Sequence, residues 1–219
     1  PSDTYTSNWL YGVAETGSFT KHPNATWNVI GANGIPENWV TNSILDYFYV
    51  KALDNDFNFK LSTNTINYSL DGESWTSLNT NTLSPNFNRG QIIYIKGELT
   101  PNSSTGIGTF TFNKACSVGG NIMSLLFGDD YNNQTDLTGY NYAFYRLFSD
   151  CKTILYTDNL SLPATILASN CYQYMFNNCS SLTTAPELPA MTLADYCYRY
   201  IFNGCSSLTT APELPAMTL

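Results

Sequence analysis

The sequence predicts a mixed, β-rich chain: an N-terminal β-sandwich-like domain over residues 1–115, then a C-terminal solenoid of stacked repeats over residues 116–219. Three observations carry this expectation. The fifteen residues CSSLTTAPELPAMTL run from Cys179 to Leu193 and return unchanged from Cys205 to Leu219. Short runs that alternate apolar with polar residues, separated by turn residues, occupy the stretch from about Ile44 to Phe112. Asn, Ser, Thr and Tyr are abundant, whereas Lys and Arg together number nine of 219 residues, a balance more typical of extracellular β-rich proteins than of cytosolic enzymes.

The repeat is defined by its offset. Cys171 maps onto Cys197 and Phe176 onto Phe202 at the same 26-residue step. An older copy lies upstream, where Ala143 to Cys151 matches Cys171 to Cys179 at a step of 28 residues. Self-similarity at such a period marks a stacked architecture. Positions 143/171/197, 144/172/198, 147/175/201 and 148/176/202 stay apolar across the copies, with Phe148, Phe176 and Phe202 identical. In the last copy Leu193, Cys197, Tyr198, Ile201, Phe202 and Cys205 follow helical spacing, so a short helix with one apolar stripe is expected in each unit. The other half, Ser-Leu-Thr-Thr-Ala-Pro-Glu-Leu-Pro, holds two prolines and reads as a short strand or extended run. One unit cannot stand alone. Its six or seven large apolar side chains contribute about 1.5–3 kcal/mol each when buried, less than the roughly 1–2 kcal/mol per residue needed to order the backbone. Neighbouring units must supply the missing burial.

The pattern Leu-Pro-Ala-x-x-Leu-x-x-x-Cys-Tyr-x-x-x-Phe-x-x-Cys-x-Ser-Leu-Thr-x-Ala-Pro-Glu, carried by Leu162 to Phe176, Cys179 to Phe202 and Cys205 onward, resembles the BspA-type leucine-rich repeats of surface proteins from gut and oral Bacteroidales. The resemblance covers about residues 140–219, and the first copy departs from it at Ala143 and by its two-residue insertion. The stretch from Tyr47 to Phe127 also looks like the β-domain that often precedes such repeats. The resemblance implies a secreted or cell-surface binding protein, with adhesion to host matrix or to other bacteria as its role.

Residues 1–45 carry Trp9, Trp27 and Trp39 among turn signals, and either join the β-domain or form a small lobe beside it. The strands expected next are Asp46-Tyr-Phe-Tyr-Val-Lys-Ala52, Phe57-Asn-Phe-Lys-Leu61, Thr65-Ile-Asn-Tyr-Ser69, Gln91-Ile-Ile-Tyr-Ile-Lys96 and Gly108-Thr-Phe-Thr-Phe112. Many short strands at this spacing suggest a sandwich. Asn113 to Gly120 reads as the passage into the repeats.

The net charge of −8 and the lack of a basic cluster argue against nucleic acid and anionic membrane surfaces as partners. No apolar run approaches the length of a membrane span. The chain starts without a charged segment and apolar stretch, so a signal or anchor segment is expected to have been removed. The repeat is cut in mid-unit at Leu219; further repeats, or a partner met by self-association at this open end, are expected beyond it.

Catalytic candidates are sparse. His22 is the single histidine and lies in a polar, loop-like setting. Asp54-Asn-Asp-Phe-Asn58 superficially resembles a calcium loop, but Phe59 and Thr65 occupy positions where glycine and glutamate are needed. Asp129-Asp130 is a second calcium candidate. No spacing singles out a catalytic pair among Asp46, Glu73, Glu98 and Asp129. Cys171 and Cys197, like Cys179 and Cys205, fall at equivalent sites of successive units, which suits buried free thiols better than disulfides. Without a CxxC pair, zinc is unsupported. No cofactor and no metal are expected.

Binding is instead expected from aromatics. Tyr174, Tyr196 and Tyr200 fall at positions assigned as outward, with Arg199 between the last two, and such a ridge suits a sugar or a protein partner. The competing interpretation packs these rings against neighbouring repeats. Phe148, Phe176, Phe202, Cys171, Cys179, Cys197, Cys205 and Leu193 are assigned to the repeat core. The functional expectation is a non-enzymatic, extracellular or cell-surface protein that adheres through its repeats to host or microbial surface proteins or glycans. Two alternatives remain: a carbohydrate-binding β-domain with the repeats as spacer, and a structural component of a phage or surface assembly.

Overall fold

Residues 17–21, 39–43 and 46–216 are described by the structure, a computed structural model. The chain divides into two units, Pro1–Asp46 and Tyr47–Leu219. In the first, strand β1 (Gly17–Lys21) pairs in parallel with β2 (Trp39–Ser43).

The second unit is β-rich, with mixed sheets and one short helix. Its strands are β3 (Tyr49–Ala52), β4 (Phe59–Leu61), β5 (Ile66–Ser69), β6 (Thr76–Leu78), β7 (Ile92–Lys96), β8 (Phe110–Phe112), β9 (Cys116–Asn121) and β10 (Ile154–Ser161), with helix α1 (Ser124–Phe127) after β9. Six of them form one sheet in the order β10-β9-β3-β7-β5-β6, and β4 pairs with β8 in a second, two-stranded sheet. The β9–β10 pair is parallel, and the pairs from β9 to β6 are antiparallel.

Alternation explains the strands. In β7, Ile93 and Ile95 are buried while Ile92, Tyr94 and Lys96 alternate with them and stay partly exposed. The β5–β6 turn is fixed by Asp71, whose carboxylate accepts the backbone N–H groups of Ser74 and Glu73 at 2.7 and 2.8 Å. These bonds hold its carboxyl far below the usual carboxylate range. The two sheets meet through phenylalanines: Phe110 of β8 lies 5.7 Å from Phe48 and 5.9 Å from Phe148 of the first repeat.

The segment read as a passage, residues 113–120, is largely strand β9, in the sheet between β3 and β10. The expected boundary between residues 115 and 116 therefore falls just before a strand of that same sheet.

The short helix expected in each repeat does not form; a ribbon of overlapping turns takes its place. Through the first copy, odd-numbered residues donate three residues back: Ala143 to Tyr140, Tyr145 to Tyr142, Leu147 to Phe144, Ser149 to Arg146 and Cys151 to Phe148. The intervening residues donate to the next copy instead: Tyr142 to Ser169, Phe144 to Cys171, Arg146 to Gln173, Phe148 to Met175 and Asp150 to Asn177. Asn170, Tyr172, Tyr174, Phe176 and Asn178 repeat this toward Asp195, Cys197, Arg199, Ile201 and Asn203. Every fourth residue is left-handed, at Tyr142, Arg146 and Asp150, then Asn170, Tyr174 and Asn178, then Tyr196, Tyr200 and Gly204. A left-handed residue in each turn stops an α-helix. Its four-residue period nonetheless gathers positions i, i+1, i+4 and i+5 on one face, which is the stripe seen in the sequence.

The buried face consists of columns that cross the copies. Phe148 stacks on Phe176 at 5.2 Å and Phe176 on Phe202 at 5.7 Å. Phe144 stacks on Tyr172 at 5.4 Å and Tyr172 on Tyr198 at 5.7 Å. The thiols of Cys151, Cys179 and Cys205 each donate at 3.0 Å to the carbonyl of Phe110, Phe148 and Phe176 respectively. Phe148, Phe176, Cys171, Cys179, Cys197 and Cys205 are buried, as expected of core, while Leu193 and Phe202 of the last copy are half-buried.

The extended halves differ from one another. Only the first forms a named strand, β10. The second is tied to it where Thr183 N–H donates to the Leu155 carbonyl at 2.9 Å and the Thr157 hydroxyl donates to the Thr184 carbonyl at 2.7 Å. Beyond Thr184, Pro186 and Pro189 bring no donors, and no strand is assigned there.

Candidate binding ridge

The outward side of the turn ribbons carries a row of tyrosine and arginine. Its placement follows from the backbone: the left-handed residues sit at turn corners, and in the column 146/174/200 these are Arg146, Tyr174 and Tyr200. Tyr174 and Tyr200 stack at 5.1 Å with 13° between ring planes, and Tyr145 meets Tyr174 edge-on at 6.0 Å. Each guanidinium lies over two phenol rings. Arg146 is 5.5 Å from Tyr145 and 5.2 Å from Tyr174, and Arg199 is 5.2 Å from Tyr196 and 5.1 Å from Tyr200.

The structure brings the four residues singled out from the sequence into this one ridge. Tyr196, Arg199 and Tyr200 are exposed, Tyr196 at 60 % and Tyr200 at 47 %, and Tyr174 is half-buried. The interpretation that assigns the rings to inter-repeat packing applies to Tyr174, which touches rings above and below it. It does not apply to Tyr196, whose ring contacts Arg199 of its own copy. Sequence reasoning missed Tyr145 and Arg146. Their signal lay in the comparison of copies, where Arg146 aligns with Tyr174 and Tyr200, and Tyr145 with Gln173 and Arg199.

Backbone energetics make the ridge unusual. A left-handed L-residue costs about 1–2 kcal/mol, and Gly, Asn and Asp carry that conformation most readily. The column 150/178/204 holds Asp150, Asn178 and Gly204, the residues such positions favour. The ridge columns hold Tyr142, Arg146, Tyr174, Tyr196 and Tyr200 in the same conformation.

A second polar cluster lies on the β-sheet. Lys96 donates to both carboxylate oxygens of Asp129 at 2.6 and 2.8 Å, and its ammonium sits 4.2 Å from the Trp75 ring. The Tyr47 hydroxyl donates to Asp129 at 2.7 Å. The Lys96 bond, then that of Tyr47, lowers the Asp129 pKa, and burial pushes the Tyr47 phenol up. Asp129 is thus committed to an internal clasp. Glu98 lines the same groove, of about 570 Å³, while Glu73 sits exposed in the β5–β6 turn. Asp46 is half-buried and Asp130 exposed, and Asp54-Asn-Asp-Phe-Asn58 forms a turn leading into β4.

All six cysteines are buried free thiols, and burial raises their pKa values. Among the described residues no group of three or more His, Cys, Asp or Glu could hold a metal ion. No helix among them is long and apolar enough to cross a membrane. His22, Trp9 and Trp27 lie outside the described residues. No family model, curated protein or solved structure matches this chain.

Proposed function

We propose that the chain is a non-enzymatic, cell-surface or secreted binding protein. In this reading a β-sandwich-like domain presents a leucine-rich-repeat solenoid of the BspA type, and the solenoid adheres to host or microbial surface molecules through its tyrosine–arginine ridge. The observation that carries the reading is the placement of exposed Tyr196, Tyr200 and Arg146 at left-handed corners, a backbone conformation that Asn or Gly adopts at lower cost. Strain retained at specific exposed side chains is a mark of functional sites. Tyrosine and arginine are also the residues that dominate binding hot spots, because they offer large contact area and several donors at modest entropic cost.

The test uses the full chain and its triple variant Tyr196→Ser, Arg199→Ser, Tyr200→Ser against an array of defined matrix proteins, bacterial surface proteins and glycans. At least one ligand should bind the parent chain and lose roughly tenfold or more affinity in the variant. Ligands that bind both chains equally would move the function away from the ridge, and silence across the array would remove the adhesion reading.

A further inference from the structure

Resting on the ridge as the binding surface, we propose that its ligand is an acidic polypeptide segment, anchored by carboxylates on Arg146 and Arg199. The first ground is unused charge. Two of the three arginines of the chain lie in the ridge, and from residue 153 to the end Arg199 is the single basic residue. Among the described residues the one salt bridge joins Lys96 to Asp129, so neither ridge arginine has a carboxylate partner. Each guanidinium lies over two phenol rings. Contacts of this kind restrict the side chain while leaving guanidinium N–H donors for a bidentate carboxylate.

The second ground is the balance of donors and acceptors. Among the described residues the hydroxyls of Tyr145, Tyr174, Tyr196 and Tyr200 make no hydrogen bond, and their rings are the ones that carry the guanidinium groups. Guanidinium offers donors only, and a phenol hydroxyl completes an acceptor-rich ligand by donating. Charge complementarity therefore selects an anion, on a molecule whose net charge of −8 opposes anions elsewhere.

The third ground separates peptide from anionic glycan. A pyranose binds an aromatic residue by lying on the ring face. Here Tyr174 and Tyr200 cover each other's faces at 13°, and arginines cover faces of Tyr145 and Tyr196. Each of these four rings therefore has a face engaged within the ridge. The two arginines belong to the first and third copies, two rungs apart, or about 10 Å at the ~4.8 Å spacing of hydrogen-bonded chains. Same-face residues of an extended peptide recur at roughly 6.6–6.8 Å, and glutamate side chains reach the remainder. A Glu-x-Glu segment fits.

The experiment measures binding of the full chain to a fluorescent twelve-residue peptide of alternating Glu and Gly, to its Gln-for-Glu analogue, and to polygalacturonate. The Glu peptide should bind, with affinity falling as salt rises, and the Gln analogue should bind at least tenfold more weakly. Arg146→Gln and Arg199→Gln should each weaken binding by roughly tenfold, and the double variant should abolish it. Both side chains are exposed, and an unchanged circular dichroism spectrum confirms that the variants fold. Equal binding of the Glu and Gln peptides would overturn the proposal, as would binding of polygalacturonate alone. These failures are distinct from failure of the ridge itself. Should the array reveal a neutral ligand lost in the triple variant, the ridge stands and the carboxylate anchor falls; should no ridge-dependent ligand appear, both fall.

Discussion

Replacing Tyr196 and Tyr174 by asparagine separates a side chain kept for folding from one whose contacts only offset its backbone cost. Asn170 occupies the position equivalent to Tyr196 in the preceding copy, also left-handed, so the backbone accepts asparagine there. Relief of the left-handed penalty, about 1–2 kcal/mol for an ordinary residue, returns roughly half of that to an asparagine variant. Tyr196→Asn loses one exposed cation–π contact, about 0.5–1 kcal/mol. The two terms cancel, and the net change should lie within about 0.5 kcal/mol of zero. Tyr174→Asn gains the same relief but loses the stack on Tyr200, the edge contact with Tyr145 and the Arg146 contact. Those sum to about 1.5–4 kcal/mol, leaving a net loss of about 1–3 kcal/mol. Equilibrium urea unfolding at unchanged m-value reads both. A loss above about 1.5 kcal/mol for Tyr196→Asn, or none for Tyr174→Asn, would refute the division between strain and packing drawn here.

Four further outcomes are expected. Phe176→Ala, which removes a fully buried ring stacked on both sides, should cost about 3–5 kcal/mol, against roughly half that for Phe202→Ala, half-buried with one stacked neighbour; urea midpoints compare them. Tyr172→Phe should be neutral or stabilise by about 1–2 kcal/mol in the same assay, because the buried Tyr172 hydroxyl has no partner and Phe144 already fills this column in the first copy. Burial raises the thiol pKa values, so the folded state holds protons that the unfolded state releases above about pH 8.5. Stability should be level below that pH and fall above it, by up to about 1.4 kcal/mol per pH unit for each thiol, while denatured protein titrates six thiols. Finally, Gly120→Ala should prevent folding or destabilise severely, since Gly120 has φ +73° and an added Cβ would overlap the Tyr47 carbonyl; soluble yield and thermal unfolding report it.

How much the sequence disclosed depended on whether the controlling interaction was periodic. Strands β3, β5 and β7 were legible because Val50, Ile66, Ile93 and Ile95 alternate with polar or half-exposed neighbours. Strand β9 was not: Cys-Ser-Val-Gly-Gly-Asn reads as a loop, and its glycines serve contacts that sequence does not display. Gly119 lies against the Tyr49 ring and Gly120 against the Tyr47 carbonyl. The repeat units and their buried columns were legible from internal comparison, but a four-residue turn period imitates a helical one, so apolar spacing alone does not distinguish the ribbon from a helix. The ridge was half legible. Tyr174, Tyr196, Arg199 and Tyr200 fall at outward positions of the repeat, whereas Arg146 stands where the later copies have tyrosine, and nothing in local pattern signals the two rings beneath its guanidinium. The Tyr47–Asp129 clasp joins residues 82 positions apart and left no trace in local pattern.

The alternation of donors along the turn ribbon sets where the chain tolerates changes in length. Adding one residue between Ala143 and Cys151, or its equivalents, would exchange the residues that bond within a copy with those that bond to the next, and would rotate every ring out of its column. The extended half has no such parity. The two extra residues of the first copy fall there, between Cys151 and Leu162, where β10 shifts register against β9 at Ile154/Tyr156 and again at Tyr156/Asn159. Length drift in such a chain is thereby confined to one flank, where loops could be grafted or lost while the rungs stay in phase.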